Sequence, residues 1–587
     1  MVYEDFPWTK NQKLIFDLNK KKNGKFVVKA CPGSGKTTCI SKRLVDFVEE
    51  YTEKRVGIAT LSFTNVALNE IEENYKKFSH GKTILYPHYI GTIDSFINNY
   101  IFLPFGHLVM HCKCRPKLVG EPYNYWSSNS YSDNFFDRLS FSIDGNIIKI
   151  KSIYDCPKDK KSINKIFKKK HYLNRQGYAI QSDSNYFAMK VLQKYPNIAK
   201  LLSSRFPYII IDEAQDTSDI QMAIFDLLLK NGLDNMILVG DPEQAIFEWN
   251  NANPELFEEK FSKWGKESIK LTDNFRCTQK IAYTISKMSK NHFFGRNKTG
   301  LNESPEIWSY EQDDFKFIIN QFLQDCSKKN IKVSKENVAV LFRSNSEISN
   351  FLFKLNEDLP TFKDEDFWSS KDYFKRSYTK NVIYGKYYWE NKDLINGFKN
   401  IQNALYLKKD YKTFCVDFDF INEKISKEGF CNYRSQILKF INLLPNFKLS
   451  DNVEDWIIKS NKILNNNGHK ELNPIKEKRG IKNFKNVFTF QMMFNNKNKS
   501  ENLNYYLGNI HSVKGRSFDA VLLILTNRQN NFYKNIFNNE LKDNEELRII
   551  YVALTRAKYI LRIGVHKKDK ILLENYFHLK QSSLFDF

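Results

Sequence analysis

The chain has 587 residues, a formal net charge of +23 and an aromatic content of 15%. This length predicts several domains with sizeable cores. Because the sequence has no long apolar run, we expect no membrane-spanning segment and no membrane partner. Nine cysteines without paired spacing indicate a reducing, intracellular compartment. The positive charge and the aromatic rings together fit a nucleic acid partner, although an Asn/Lys-rich coding bias would leave the same basic surface.

A strand followed by a phosphate-binding loop is predicted near the start of the chain. Residues 26–28 form an apolar run typical of a buried parallel strand, and apolar residues recur at helical spacing after Thr37. The loop residues predicted to contact a nucleotide are Gly33, Ser34, Gly35, Lys36, Thr37 and Thr38. Glycines let backbone N–H groups surround phosphates, Lys36 reaches the β- and γ-phosphates, and the Thr37 hydroxyl holds Mg²⁺. Ala30 replaces the first glycine of this motif, and its small side chain still permits the turn.

Other polar and aromatic residues are predicted at strand ends and at a helix start. Gln12 precedes an amphipathic helix, and its amide can both donate and accept, as the edge of adenine requires. Phe63, Thr64 and Asn65 end a second predicted strand, and Thr92 ends a third. Because the carboxyl ends of parallel strands meet at the ligand crevice, we predict that these residues face a bound ligand.

The segment from about residue 101 to residue 200 has a different character. Aromatic patches alternate there with a block that holds seven lysines between Lys158 and Arg175. We interpret this segment as an inserted subdomain. Its basic block either contacts a DNA backbone or forms a solvated helix face, and the sequence does not decide between them.

A second group of predicted site residues follows two further strands. A fully apolar strand ends at Asp212 and Glu213, where Asp212 can hold Mg²⁺ through its water shell and Glu213 can orient and deprotonate the attacking water. The next strand leads to Gln244, which is placed to sense the γ-phosphate. Phe247 and Trp249, just beyond it, can present their rings to bases or pack in the core.

Together with four segments of the second half, these residues resemble the ordered motif set of superfamily 1 helicases of the UvrD/PcrA/Rep group. The four segments are Leu271-Thr-Asp-Asn-Phe-Arg276, Val338-Ala-Val-Leu-Phe-Arg-Ser-Asn345, Ile510-His-Ser-Val-Lys-Gly-Arg-Ser-Phe-Asp519 and Glu545-Glu-Leu-Arg-Ile-Ile-Tyr-Val-Ala-Leu-Thr-Arg-Ala557. The resemblance implies an α/β fold of two RecA-like P-loop NTPase domains, in which helices flank parallel sheets and each domain carries an inserted, mainly helical subdomain. It places ATP in the cleft between the two domains.

The resemblance also implies domain limits. Residues 1–100 and 201–275 would form the first motor domain, and residues 101–200 its insertion. Residues 276–345 and 505–580 would form the second motor domain, and residues 346–504 a short second insertion.

The roles of several residues come from the same resemblance. Arg276 and Arg556 would reach from the second domain to clamp the γ-phosphate, and Phe275 would stack on adenine. With Lys36, Glu213 and Gln244, the two arginines would form the catalytic set. The residues implied in binding single-stranded DNA are Phe63, Thr64, Asn65, Thr92, Phe247, Trp249 and His511. Three positions depart from the group: Phe275 replaces Tyr, Asn250 stands where Arg is frequent, and Ser517 replaces Glu.

The implied activity is that of an ATP-dependent DNA helicase or translocase in the cytoplasm, at the nucleoid. It would act on single strands and on junctions of single- and double-stranded DNA, with 3′-to-5′ polarity, in repair, recombination or anti-phage defence. The alternative is a DNA- or nucleotide-sensing ATPase that activates a partner nuclease without unwinding. Only about thirty residues follow Ala557, too few for a nuclease domain. Cutting would therefore need a separate subunit, as in Gabija systems, whose helicase-like subunit this compact chain resembles.

The last seven residues, 581–587, contain a possible docking peptide. Gln581, Leu584 and Phe585 have the spacing of short peptides that insert into the pocket of bacterial sliding clamps. The two apolar side chains would fill the pocket and the glutamine would set the register. The alternative is an apolar tail that packs on the second motor domain.

Overall fold

The computed structural model describes residues 8–18, 24–50, 53–120, 125–126, 133–149, 159–248, 251–265, 268–298, 300–311, 315–354, 373–410, 413–416, 418–477, 484–494, 503–528 and 531–577. Trp249, Asn250 and residues 581–587 lie outside these ranges, so the predictions made for them stay predictions. Within the described ranges, no helix is long and apolar enough to cross a membrane.

The strands are short, and most of them coincide with apolar runs of the sequence. In chain order they are β1 Lys25–Ala30, β2 Ile58–Ser62, β3 Tyr89–Thr92, β4 Lys117–Leu118, β5 Tyr125–Trp126, β6 Leu139–Phe141, β7 Ile147–Lys149, β8 Tyr178–Ala179, β9 Tyr208–Asp212, β10 Asn235–Gly240, β11 Ile269–Leu271, β12 Asp273–Thr278, β13 Phe294–Asn297, β14 Glu306–Tyr310, β15 Val338–Phe342, β16 Leu407–Asp410, β17 Thr413–Val416, β18 Tyr506–Asn509, β19 Phe518–Leu525 and β20 Ala557–His566.

The helices alternate with the main strands and make up most of the insertions. In chain order they are α1 Lys10–Phe16, α2 Lys36–Glu50, α3 Asn65–Phe78, α4 Ile93–Ile97, α5 Leu103–Phe105, α6 His107–Met110, α7 Lys160–Arg175, α8 Gln181–Lys194, α9 Pro196–Arg205, α10 Asp219–Lys230, α11 Pro254–Lys263, α12 Gln279–Ser286, α13 Phe315–Lys328, α14 Asn345–Lys354, α15 Tyr373–Glu390, α16 Leu394–Tyr406, α17 Phe418–Glu428, α18 Phe430–Leu443, α19 Val453–Asn466, α20 Phe484–Val487, α21 Phe532–Phe537, α22 Glu545–Leu554 and α23 Lys570–Phe577.

Two parallel sheets form the framework of the molecule. The first has six strands in the order β11-β1-β10-β9-β2-β3, and all of its pairings are parallel. The second has five strands in the order β14-β20-β19-β15-β18, again all parallel. Strands such as β10 and β15 are buried along their whole length because helices cover both faces. This arrangement confirms the predicted α/β fold class.

The contact between the two halves of the molecule is apolar at its centre. Cys31, which follows β1, and Ile246, which follows β10, are buried in one cluster with Val513 and Tyr551 of the second half. A shared buried cluster holds two domains in a defined orientation. The ends of β1, β9 and β10 therefore face residues of the second half across a closed contact.

The two insertions are joined by backbone pairing. β5 lies in the first insertion, and it pairs antiparallel with β17 of the second, which also pairs with β16. The second insertion has its own apolar core, formed by residues of α15, α16, α18 and α19 with the 484–494 segment. The domain limits stated above stay predictions.

Candidate functional site

The phosphate loop is held in the conformation that its glycines permit. Gly33 and Gly35 have φ values of +67° and +74°, a left-handed region that favours glycine. A Cβ atom at Gly33 would lie 2.6 Å from the Cβ of Arg276, and the Phe275 N–H donates to the Gly33 carbonyl at 2.9 Å. Because Gly33 has no side chain, the segment that carries Phe275 and Arg276 can approach the loop. Both of these residues are predicted to contact the nucleotide.

Four predicted site residues meet where β9 ends beside the start of α2. The Lys36 ammonium contacts the Glu213 carboxylate at 2.5 Å, and the Thr37 hydroxyl donates to Asp212 Oδ2 at 3.0 Å. Glu213 has a left-handed backbone, with φ of +55°, which turns the chain sharply after the strand. The acidic pair and the phosphate loop are therefore in direct contact at one sheet edge.

Opposite charges dominate the electrostatics of this contact. Burial by itself would raise the pKa of Glu213, but the charges of Lys36 and Lys514 lower it to about 2. Burial disfavours the Lys36 ammonium, yet Glu213 and Asp212 outweigh that cost and raise the lysine pKa. Both groups are ionised at neutral pH, and Glu213 occupies the cation that a bound triphosphate would need.

The residues at this edge fit a magnesium ion. Thr37 and Asp212 bring a hydroxyl and a carboxylate within 3.0 Å of each other, and Mg²⁺ prefers oxygen ligands. The Ser34 hydroxyl is buried without a hydrogen-bond partner in the described part of the chain. An ion held there would supply positive charge close to the phosphates. Its binding by Thr37 and Asp212 stays a prediction.

The predicted adenine contacts are arranged less simply. α1 begins at Lys10, before Gln12, so Gln12 lies inside the first helical turn. Its amide accepts from the Thr9 N–H and donates to the Ser34 carbonyl, both at 2.9 Å, which leaves one N–H and one lone pair for a nucleotide. The Phe275 ring is 38% exposed and free of such a constraint. Thr38 is half-buried in the first turn of α2.

Basic residues of the second half reach this edge from across the domain contact. Arg556 donates to the Gln244 side-chain oxygen at 2.6 Å, and Arg276 donates to the carbonyl of Thr555 at 3.1 Å. Burial and the neighbouring charge of Arg276 lower the pKa of Arg556 to about 9. The two guanidinium groups therefore lie beside the acidic edge, close enough to each other to repel.

Lys514 is a further contact that the motif comparison did not single out. Its ammonium contacts Asp216 at 2.6 Å and donates to the Gln244 carbonyl at 2.9 Å, and the Lys514 side chain is only 5% exposed. Burial raises the pKa of Asp216 to about 6, although the Lys514 charge opposes this shift. The lysine of the His-x-x-Lys-Gly motif was visible in the sequence, but its partners lie nearly three hundred residues away.

Three of the predicted DNA-binding rings form a row. The ring centroids of Phe63 and Phe247 are 5.0 Å apart, and those of Phe247 and His511 are 6.1 Å apart. The Lys514 ammonium lies 4.8 Å from the Phe247 ring. All three rings are half-buried, and His511 Nε2 has no hydrogen-bond partner among the described residues. Burial, with the charge of Arg343, lowers the pKa of His511, which favours neutral imidazole.

The other predicted DNA contacts have structural roles as well. The Thr64 hydroxyl accepts from the Ala67 N–H at 3.3 Å, and the Thr92 hydroxyl accepts from the Ser95 N–H at 3.1 Å. Both threonines are therefore N-caps, of α3 and α4. Asn65 is exposed beside the ring row.

Comparison with known proteins agrees with this geometry. The family model of the UvrD/REP helicase N-terminal domain matches residues 8–117 and 148–264, and that of the UvrD-like helicase C-terminal domain matches residues 467–568. Similar proteins include Gabija protein GajB of Bacillus cereus, which is 27% identical over 555 residues, or 92% of each chain. The probable DNA helicase II homolog of Mycoplasma pneumoniae is 23% identical over 92% of this chain and 82% of its own. ATP-dependent DNA helicase Rep of Buchnera aphidicola is 23% identical over 91% and 92%. The chain therefore belongs to the UvrD-like superfamily 1 DNA helicases, which hydrolyse ATP.

Proposed function

We propose that this helicase uses ATP hydrolysis to move in the 3′-to-5′ direction along single-stranded DNA, beside a separate nuclease in anti-phage defence. The observation that supports movement is the contact of Arg556 with Gln244 at 2.6 Å, which joins the second half to the loop after β10. An arginine supplied across a cleft stabilises transition-state charge only when the cleft is closed. Hydrolysis is thereby coupled to the relative position of the two domains.

Lys36 and Glu213 would exchange partners during the cycle. Their 2.5 Å ion pair neutralises both groups. A bound triphosphate draws Lys36 away, and the Glu213 carboxylate is then free to orient and deprotonate a water molecule. Arg276 and Arg556 balance the charge that develops. Asp212 and Thr37 would hold the magnesium ion throughout.

The ring row is the proposed path of the single strand. Base stacking contributes about 1–3 kcal/mol per base without reading sequence, which suits an enzyme that must pass over any base. Phe63, Phe247 and His511 supply the rings, with Trp249, Asn65, Thr64 and Thr92 as the further proposed contacts. The 3′-to-5′ direction and the defence role rest on family resemblance, the latter on the similarity to Gabija protein GajB.

Helix α7 is the proposed contact with the duplex at a junction. Its cations Lys161, Lys165, Lys168 and Arg175 are all exposed and follow one another at spacings of four, three and seven residues, so they share one face over about 21 Å. None of the four has an ion pair within the described ranges, whereas Lys170 is buried and pairs with Asp183 at 2.9 Å. A straight row of unpaired cations is complementary to a duplex backbone.

The junction contact can be tested by salt-dependent binding. Lys161→Ala/Lys165→Ala/Lys168→Ala should weaken binding to a 3′-tailed duplex about tenfold and lower the salt slope by roughly 2–3, because each lost phosphate contact contributes about 0.9. Binding to single-stranded DNA should stay within about twofold. The control Lys316→Ala/Lys328→Ala/Lys332→Ala removes the same charge from exposed positions of the second half. If both triple variants lose the same affinity for the tailed duplex, α7 is a solvated helix face and not a DNA contact.

The decisive assay for the proposed function uses the purified chain alone. ATP-dependent displacement of a strand from a 3′-tailed duplex, with none from a 5′-tailed one, is the expected result. DNA-stimulated ATP turnover without displacement or translocation would indicate the sensing ATPase instead. Addition of a candidate partner nuclease then tests the partnership, because DNA binding should lead to cutting only when both proteins are present.

Docking to a sliding clamp is a separate proposal that rests on Gln581, Leu584 and Phe585 alone. A peptide of residues 575–587 should bind a bacterial clamp in calorimetry, with heat lost on replacement of Leu584 and Phe585 by alanine. Absence of heat with the unaltered peptide would end the proposal.

A further inference from the structure

The loop that follows β10 is bound along its length by the second half of the molecule. We call residues 241–248 the sensor loop. Near its start, the Glu243 carboxylate accepts from Ser289 Oγ at 2.5 Å, from Asn291 Nδ2 at 3.0 Å and from the Tyr551 hydroxyl at 3.4 Å. In the sequence the sensor loop follows a strand of the first sheet, but Glu243 of this loop is hydrogen-bonded to residues of the second half.

Arg548 makes the most extensive of these contacts. It lies on α22 with 1% of its side chain exposed. Its Nε donates to the Ala245 carbonyl at 2.7 Å, and its Nη2 binds the Glu248 carboxylate. Its Nη1 donates to the carbonyls of Leu541 and Lys542 at 2.7 and 2.9 Å. One planar guanidinium thus joins the sensor loop to the segment just before α22.

Glu248 completes this connection from the other side. Its carboxylate is the only anionic partner of Arg548 among the described residues, and its backbone N–H donates to Glu545 Oε1 at 2.9 Å. Removing one member of a buried ion pair leaves the other charge uncompensated. Loss of the Glu248 charge should therefore loosen the end of the sensor loop from α22.

The sensor loop has a different functional group at each end. Gln244 contacts Arg556, which follows α22, whereas Phe247 lies in the ring row. Arg548 lies on α22 and Arg556 lies two residues beyond its last residue, Leu554, so both belong to one continuous segment. We infer that Arg548 and Glu248 are positioning residues that hold the sensor loop on α22, so that DNA at Phe247 changes the placement of Gln244 and Arg556. This inference rests on the proposed DNA path along the ring row.

The test measures DNA-stimulated and DNA-free ATP turnover in Glu248→Gln. This variant keeps the shape of the side chain and removes its charge. We expect DNA stimulation to fall by roughly fivefold or more, the lower end of a typical coupling between two sites, while DNA-free turnover stays within about twofold. The Tm should remain within about 2 °C of that of the control Glu255→Gln, an exposed carboxylate seven residues away. Glu248→Asp keeps the charge and should retain about half of the stimulation, which a role in packing alone would not produce.

Two results would overturn the positioning role. One is wild-type stimulation in Glu248→Gln, and the other is an equal fall of the DNA-free and DNA-stimulated rates. Phe247→Ala separates this inference from the proposed DNA path. If Phe247→Ala loses stimulation while Glu248→Gln does not, the path stands and the positioning role is wrong.

Discussion

The two sides of the proposed ATP site differ in how their residues are brought together. On one side, Lys36, Thr37, Asp212 and Glu213 come from neighbouring elements of a single sheet, and their contacts at 2.5 and 3.0 Å lie within one domain. On the other side, Lys514 and Arg556 make contacts that cross between the halves of the chain, and Arg276 donates to the carbonyl of Thr555 beside Arg556. The first side can form in one domain alone, whereas the second exists only while the domains are docked. If the proposed roles hold, binding of nucleotide and control of its hydrolysis are physically separated.

The largest expected effect comes from the side within one domain. Lys36→Ala should lower DNA-stimulated ATP turnover by at least about 10³-fold, because the phosphates lose their cationic contact and Glu213 loses its partner. Binding of single-stranded DNA should persist. Lys42→Ala, which removes a half-exposed lysine later on α2, serves as the control. Turnover retained in Lys36→Ala would mean that the site lies elsewhere.

Arg556→Ala tests the opposite side with a smaller effect. It should lower kcat by about 10²-fold, as expected for loss of one donor to transition-state charge, while the KM for ATP changes little. Steady-state kinetics with saturating single-stranded DNA measure both constants. A large rise in KM with unchanged kcat would place Arg556 in ground-state binding and remove the distinction between the two sides.

Lys514→Gln examines how much of the docked arrangement depends on one buried ion pair. The variant leaves Asp216 buried without its cation, which should lower the free energy of unfolding by about 3 kcal/mol. Lys558→Gln removes a lysine from the half-exposed pair with Asp519 and should cost less than about 1 kcal/mol. Thermal unfolding of both variants compares them. Equal, small losses would mean that water reaches the contact between the halves.

A further prediction is a pH dependence of stability at Asp241. Burial and the nearby Glu243 carboxylate raise its pKa to about 7. A carboxyl whose pKa is raised from about 4 on folding stabilises the native state below pH 4, and this contribution is lost as the pH rises to 7. Asp241→Asn is neutral at every pH, so its Tm relative to the wild type should increase between pH 5 and pH 8. If the difference in Tm between Asp241→Asn and the wild type does not change with pH, Asp241 is hydrated and the cleft is open.

Much of the first side of the site could be predicted from the sequence. The phosphate loop and the acidic pair are local patterns, in which an apolar strand precedes a turn with a fixed set of residue types. The order of motifs along the chain then predicted two parallel sheets, and the structure has both. The spacing of apolar residues is a property of neighbouring positions, so strands and helices can be predicted from it without knowledge of the folded structure.

Other features depended on contacts that no local pattern records. The Gln12 amide is already bonded to Thr9 and Ser34, and Thr64 and Thr92 cap helices, so none of the three is simply an unoccupied ligand contact. The partners of Arg548, at Ala245 and Glu248, lie about three hundred residues away along the chain.

The chemistry of the site follows from the amino-acid sequence, because residue types and strand ends specify which groups can meet a phosphate. Which groups are joined across the domains depends on the folded molecule, because those distances follow from how two apolar surfaces pack. The presence of a glutamate at position 248 does not predict that it pairs with Arg548. Their contact exists because burial of residues such as Ile246 and Tyr551 brings the sensor loop onto α22.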